Sequence, residues 1–444
     1  MSDASLSGWG RTKFAFSSVH TPLDEEDVMN EFKSNAHVIA RGLGRSYGDA
    51  AQLSGGVVLD NRQLGGIGTI DTSGVVNVGA GVSFDELLAY AIPQGWFVPV
   101  TPGTRQVTMG GAIGADVHGK NHHVDGSFAN HVLSMRLVTP SGAFTLSPTD
   151  EPALFWATIG AMGLTGVVTS LNLKMIPIET DHVLVDTERF GDLDAVMSAM
   201  SEGDDDYRYS VAWVDCMTRG AHMGRAILTR ANHALATDLE NVSLKGPRTK
   251  KLSVPLTAPR GLLNKWSVTA FNELWFRSAP RYEIGESQSL STFFHPLDGV
   301  GNWNRLYGPR GFVQYQFCVP ESASDTVREV IERLSASRVP SFLAVLKRFG
   351  PKNPGPLSFP IAGWTLALDL PVGPSALPGV LDELDELVAG AGGRVYFAKD
   401  ARLRAEFVKT MYPRLAEFLE IKTRIDPKNQ LTSDLARRLD LVGS

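Results

Sequence analysis

The chain has 444 residues, 43% of them hydrophobic and 20% charged, enough for two soluble domains with sizeable cores. Its formal net charge of −6, with no block of lysine and arginine, argues against nucleic acid as a partner, since that function needs a basic face. Two cysteines, Cys216 and Cys318, lie far apart without a C-x-x-C, so they read as buried thiols rather than a disulfide framework or a zinc site, and no metal is expected.

The N-terminus has no basic region followed by an apolar one, and no run of eighteen apolar residues occurs. No export signal or membrane span is expected. That leaves a cytoplasmic chain or one held peripherally at the plasma membrane, with the periplasmic face still open.

In chain order, the first strong signal is an apolar strand, Val38-Ile39-Ala40, running into Arg41-Gly42-Leu43-Gly44-Arg45-Ser46-Tyr47-Gly48-Asp49. The spacing fails the dinucleotide fingerprint at Tyr47, and no Gly-Lys-Ser/Thr follows. Gly55-Gly56 and then Val57-Val58-Leu59-Asp60 predict a turn and a strand, so no helix supplies a positive N-terminus. What remains is a strand–loop–strand cradle of backbone amides suited to a pyrophosphate.

Val75-Val76-Asn77-Val78 predicts the next strand. Ser83 and Glu86 form a capping box ahead of an apolar helix that Pro93 and Gly95 stop. A second glycine cluster follows: Pro102-Gly103-Thr104, then Thr108-Met109-Gly110-Gly111-Ala112-Ile113, then His118-Gly119. Two such turns about sixty residues apart point to one large anionic cofactor. Strands at 132–138 and 167–173 and a helix over 152–159 complete an α+β pattern with antiparallel or mixed sheets.

Near residue 180 the character changes, which sets the expected domains at 1–180, 181–395 and a C-terminal segment 396–444 that returns to the first. A helix over 193–200 precedes the acidic turn 202–206. Strands at 209–214, 313–319 and 365–370 alternate with helices at 322–337 and 376–391, which predicts a broad antiparallel sheet with helices on one face. Gln314 and Gln316 share a strand face opposite Tyr315 and Phe317, lining either a pocket or a solvated surface. Residues 245–282 are rich in proline, tryptophan and basic residues without clear periodicity. They fit either a lipid-facing lid or an irregular loop packed on its own domain.

Together, the first loop, Val78-Gly79-Ala80-Gly81-Val82-Ser83 and the second cluster resemble the vanillyl-alcohol-oxidase/PCMH-type FAD-binding oxidoreductases, in the sugar and aldonolactone oxidase branch. His118-Gly119-Lys120-Asn121-His122-His123, Tyr307-Gly308-Pro309, Gln314-Tyr315-Gln316-Phe317, Leu357-Ser358-Phe359-Pro360 and Tyr396-Phe397-Ala398-Lys399-Asp400 are similar to a narrower group. Its members oxidise the 2′-hydroxyl of a polyprenylphosphoryl ribose as flavin subunits of an epimerase.

The resemblance implies FAD contacts from Arg41, Gly42, Leu43, Gly44, Arg45, Ser46, Tyr47 and Gly48 in the first loop. From the second it implies Gly103, Thr104, Thr108, Gly110, Gly111, Ala115, His118 and Gly119, with Val168 and Tyr396 beyond them. Members that hold flavin covalently commonly carry histidine where this chain has Arg45, so noncovalent FAD is implied.

Lys399, His118 and Tyr47 are the implied catalytic residues, with Tyr396 expected on the same strand as Lys399. Tyr307, Gln314, Gln316, Lys347 and Lys399 are implied for the lipid-linked sugar. A short-chain dehydrogenase/reductase subunit is the implied partner, and a quinone a possible electron acceptor. Mycobacterial members carry cysteine where this chain has Ala367, which has no thiol to offer, and Met162 stands at a position usually polar in them. The rival readings are an aldonolactone or alditol oxidase on a small soluble sugar, although the His-Trp-Gly-Lys signature of that branch is absent, and a flavin-binding subunit without turnover. His118, His122 and His123 also invite a metal, but adjacent His122 and His123 would point apart on a strand and no carboxylate completes a triad.

Overall fold

The computed structural model describes residues 2–247, 252–259 and 261–442. Its N-terminal part carries two four-stranded sheets. The first runs in the order Ser2–Ser7, Phe14–His20, Val57–Asp60, Val38–Arg41, with the outer pair antiparallel and the rest parallel. Parallel pairing requires a crossover, and helix Glu25–Ser34 makes it. Asp24 caps that helix by accepting from Asp27 N, three acids occupy its first turn, and Val28 and Phe32 are buried.

The second sheet is antiparallel, ordered Val75–Gly79, Val167–Lys174, Val132–Thr139, Gly142–Leu146. Helix Phe84–Ala91 packs near it, started by the Ser83/Glu86 capping box. Gly95, at φ 79°, ends the short turn that follows.

The eight-stranded sheet is antiparallel throughout. Its order is Tyr282–Ser289, His182–Phe190, Ala226–His233, Tyr209–Val214, Ala344–Phe349, Gly363–Pro371, Phe312–Pro320, Arg394–Val395. Helices Leu193–Gly203, Asp325–Ser337 and Leu377–Gly390 bury their apolar stripes on one face. The other face looks back toward the glycine loops.

The C-terminal residues pack against the N-terminal sheet: Val38 N donates to Gln430 O at 2.8 Å, and Leu431 bridges Val38 in parallel. A buried pair, Lys422 with Asp426 at 2.8 Å, fixes that turn, and the Asp426 carboxylate also accepts from the Gln430 and Leu431 amides.

Two local expectations are corrected. The stretch 245–282 contains a regular helix, Lys265–Ser278, capped by Asn264 through the amides of Trp266 and Ser267. Apolar residues occur on both its inner and outer sides, which erases the single-stripe periodicity that marks a helix. Tyr396 and Lys399 are not on a strand, because the edge strand ends at Val395 and both lie in the turn beyond it, Lys399 N donating to Tyr396 O at 2.9 Å.

Candidate active site

The first loop leaves the Val38–Arg41 strand and is held from behind. The Arg41 guanidinium donates to Ala51 O at 2.7 Å and Ser7 O at 2.8 Å, and Gly44 turns the chain at φ 62°. The second loop passes into a short helix, Met109–Gly114, whose N-cap Thr108 accepts from Gly111 N. The two loops abut, since a methyl on Gly42 would overlap the Thr108 hydroxyl. A side chain at Gly103 would meet nothing within 4 Å and would project into open space.

That space is a cavity of about 770 Å³ extending from both loops to the open face of the large sheet. Strand register builds its floor. Gln316 pairs with Ala367, Ala367 with Val345, Val345 with Trp213 and Trp213 with Ile227, so one rank of side chains crosses five strands and all five line the cavity. Gln314 pairs in the same way with Asp369. Both glutamines are buried against the cavity rather than on a solvated face.

Three half-buried lysines converge here. Lys347 Nζ donates to Gly119 O at 3.1 Å, and burial pushes its pKa down to about 8. Lys120 Nζ donates to Phe293 O at 2.5 Å and lies 3.8 Å from the Phe293 ring centre. Burial, then the Lys347 charge, bring it to about 7.

Lys399 Nζ sits 4.0 Å over the Tyr47 ring, and burial lowers it to about 7, opposed by the Asp369 carboxylate. Asp369 is itself buried completely, which raises its pKa. It accepts from Gln314 and, at 3.2 Å, from the Tyr307 hydroxyl. Gln314 Nε2 also donates to the Tyr47 hydroxyl at 3.3 Å.

His118 Nε2 accepts from Gln316 Nε2 at 2.9 Å. Burial and the neighbouring lysines hold its pKa well below the usual histidine range, so the ring is uncharged at neutral pH. Among the described residues its Nδ1 is buried without a hydrogen-bond partner, as is Nε of Arg45, whose guanidinium stacks 4.0 Å over Trp9. Tyr396 donates to Ala115 O at 2.6 Å and stacks on Phe359.

Of the residues implied as FAD or sugar contacts, all line this cavity with two exceptions. Gly48 does not. A methyl there would overlap the Asp400 carbonyl oxygen and come within 2.7 Å of Ala401 Cα, so Gly48 lets the loop approach the turn that carries Lys399.

Tyr307 does not line it either, because its ring stacks on Phe312 at 4.0 Å and its hydroxyl serves Asp369. Arg41 lines the cavity, but its guanidinium is engaged in holding the loop backbone. His122 and His123 are on a short helix, not a strand. Their ring nitrogens face Gly350 N and the carbonyls of Asp204 and Tyr207.

Sequence reading missed Asp369 and Lys120. An aspartate in an otherwise apolar strand was the available signal for the first. Lys120 stood within a quoted motif but was assigned no role.

The arrangement suits a large anionic ligand: backbone approaches free of side chains, three half-buried lysines of which only Lys399 is opposed by the Asp369 carboxylate, and orphaned polar atoms on His118 and Arg45. Residues 17–146 match the FAD binding domain family, and FAD fits this cradle. The chain is 44% identical to the decaprenylphosphoryl-beta-D-ribose oxidase of Mycolicibacterium smegmatis, over 98% of this chain and 97% of that protein.

The chain belongs to the decaprenylphosphoryl-β-D-ribose oxidase family.

It is an FAD-binding oxidoreductase with the PCMH-type domain of that family. It is also 39% identical to an uncharacterised protein of Streptomyces coelicolor, over 81% of this chain and all of that one. An alditol oxidase of a Streptomyces species is 20% identical over 99% of both chains. Among the described residues no helix is long and apolar enough to cross a membrane.

Proposed function

We propose that the chain oxidises the 2′-hydroxyl of decaprenylphosphoryl-β-D-ribofuranose to the 2′-ketone with noncovalently held FAD. The convergence of Lys399, Lys347 and the glutamine pair on a cavity that begins at the FAD loops carries the reading. The loops and Tyr396 would hold the cofactor, which when bound supplies the two-electron acceptor for the C2′ hydrogen.

Lys399 takes the hydroxyl proton. Burial brings its amine form into the neutral range, where a base is most effective, whereas burial raises Tyr47 well above the usual phenol range and leaves His118 a weak base. The ammonium so formed would offer positive charge to a bound FAD as it takes up electrons. Gln314 fixes the Tyr47 hydroxyl as a hydrogen-bonding group, and Gln316 holds uncharged His118. Lys347 offers positive charge to the phosphodiester. Oxidation at C2′ is the first half of an epimerisation that a short-chain dehydrogenase/reductase completes, and a quinone suits reoxidation beside a membrane substrate.

The full-length likeness to an alditol oxidase supports a second reading, a small soluble polyol. Anaerobic titration of the purified flavoprotein decides. A short-chain prenylphosphoryl ribose should bleach the flavin, whereas alditols and aldonolactones should not, and acid precipitation should release all the flavin into the supernatant. Bleaching by alditols alone, or flavin retained in the pellet, contradicts the reading.

Asp369 opposes the lowering of the Lys399 pKa, so removing its charge lowers that pKa further. Activity that needs the amine form rises as pH climbs through this value. Asp369→Asn should therefore move the acid limb of kcat/KM to lower pH, with Asp369→Glu restoring it in part. An unmoved limb in Asp369→Asn would separate Asp369 from the titration of Lys399.

A further inference from the structure

Helix Lys265–Ser278 is anchored on its inner side. Val268 and Asn272 are buried, Asn272 donating to Asp215 Oδ1 at 2.8 Å, and Glu273 pairs with Arg225 at 2.7 Å. On its outer side, Trp266, Ala270 and Leu274 recur at i, i+4 and i+8, a stripe facing away from the protein, with Trp266 74% and Leu274 70% exposed.

Leu256 and Leu262, in the loop before the helix, are exposed as well. A surface stripe of this kind normally packs inward; one facing out marks an interaction site. The sequence over 245–282 also carries eight lysine and arginine residues against a single acid, Glu273, within a chain of net charge −6. Lys265 and Arg277 flank the stripe, with the Arg277 side chain 75% exposed.

The helix is continuous with the cavity. Phe271 and Trp275, one turn apart on the same side of the helix with their rings in nearly parallel planes, line the cavity while remaining partly exposed.

We propose that this helix is the membrane-docking surface of the protein, lying in the interface of an anionic phospholipid bilayer with Trp266 and Leu274 in the lipid and the surrounding basic residues against headgroups. Apolar area supplies affinity, and basic charge selects anionic lipid. A water-soluble polyol oxidase has no use for such a surface beside its cavity. The proposal deepens the lipid-linked substrate reading by stating how that substrate reaches the site without leaving the bilayer.

The test is cosedimentation of the FAD-loaded protein with vesicles of phosphatidylglycerol and phosphatidylethanolamine, and with pure phosphatidylcholine. Wild type should pellet with the anionic vesicles, and less as salt rises. The double variant Trp266→Ser, Leu274→Ser and the charge variant Lys265→Glu, Arg277→Glu should each bind at least about tenfold more weakly.

Neither pair lines the cavity, so turnover of a soluble short-chain substrate should be unchanged, while turnover of a long-chain substrate embedded in vesicles should fall. Wild type that stays in the supernatant, or variants that pellet equally, overturn the proposal. So does loss of self-association in the double variant without any lipid binding, which assigns the face to a second copy of the chain. Vesicle binding without turnover of either prenylphosphoryl ribose leaves docking standing and removes only the substrate reading.

Discussion

Replacing Lys399 by alanine should lower kcat by about 10²- to 10⁴-fold while FAD remains bound. In the proposed reaction the side chain would contribute twice: as the amine that takes the hydroxyl proton, and then as positive charge offered to a bound FAD once reduced. The backbone turn that presents it is held independently, by Tyr47 N donating to Ala398 O at 2.8 Å and by Arg438, which pairs with both Asp49 and Asp400.

Truncating the side chain therefore leaves cradle and turn in place, and the loss should show as slow anaerobic bleaching in a protein with normal flavin content. Lys399→Arg separates the two roles, because guanidinium keeps the charge but does not release its proton. It should remain impaired, but less than the alanine variant, because only the proton acceptor is lost. Near-normal bleaching in Lys399→Ala would dismiss the assignment altogether, and recovery in Lys399→Arg would reduce the role of the residue to charge alone.

Gly48→Ala should destabilise the protein by about 3 kcal/mol or more and deplete it of FAD. The added methyl meets backbone on the facing turn, the carbonyl of Asp400 and Cα of Ala401, and neither can swing aside as a flexible side chain would. The same approach aligns Tyr47 beneath Lys399, so relief of the overlap also separates those two groups. Gly191→Ala is the control, since a methyl there meets nothing within 4 Å. Thermal melting and the flavin-to-protein ratio measure the effect. A Gly48→Ala protein that melts with the control and carries full flavin would show that the two backbones can part at little cost.

Local chemistry explains why much of the architecture was legible. The Ser83/Glu86 box, the strand at 57–60 and the helices at 325–337 and 377–390 each rest on residues within a few positions of one another, where capping and periodicity operate. Helix Lys265–Ser278 escaped because apolar residues on both its inner and outer sides blur a single stripe, although Asn264 with Ser267 three residues on was a readable start.

Tyr396 and Lys399 were misread as strand because an apolar run does not reveal where pairing ends. Gly48 was read as a cofactor contact because a glycine states only that something comes close. Which atom does so, here a carbonyl more than 350 residues away, is decided in three dimensions.

The sequence by itself determined the two glycine loops, the alternation of the sheet strands and the family to which they point, because those features depend on neighbours along the chain. Tertiary structure alone decided the chemistry of the cavity. Antiparallel register set Gln314 against Asp369 and placed Ala367 in the rank between Gln316 and Trp213, and the return of the C-terminal segment brought Lys399 over Tyr47. Burial then turned ordinary lysines into groups that exchange protons near neutrality, a property that depends on what surrounds an amine and not on its position in the chain.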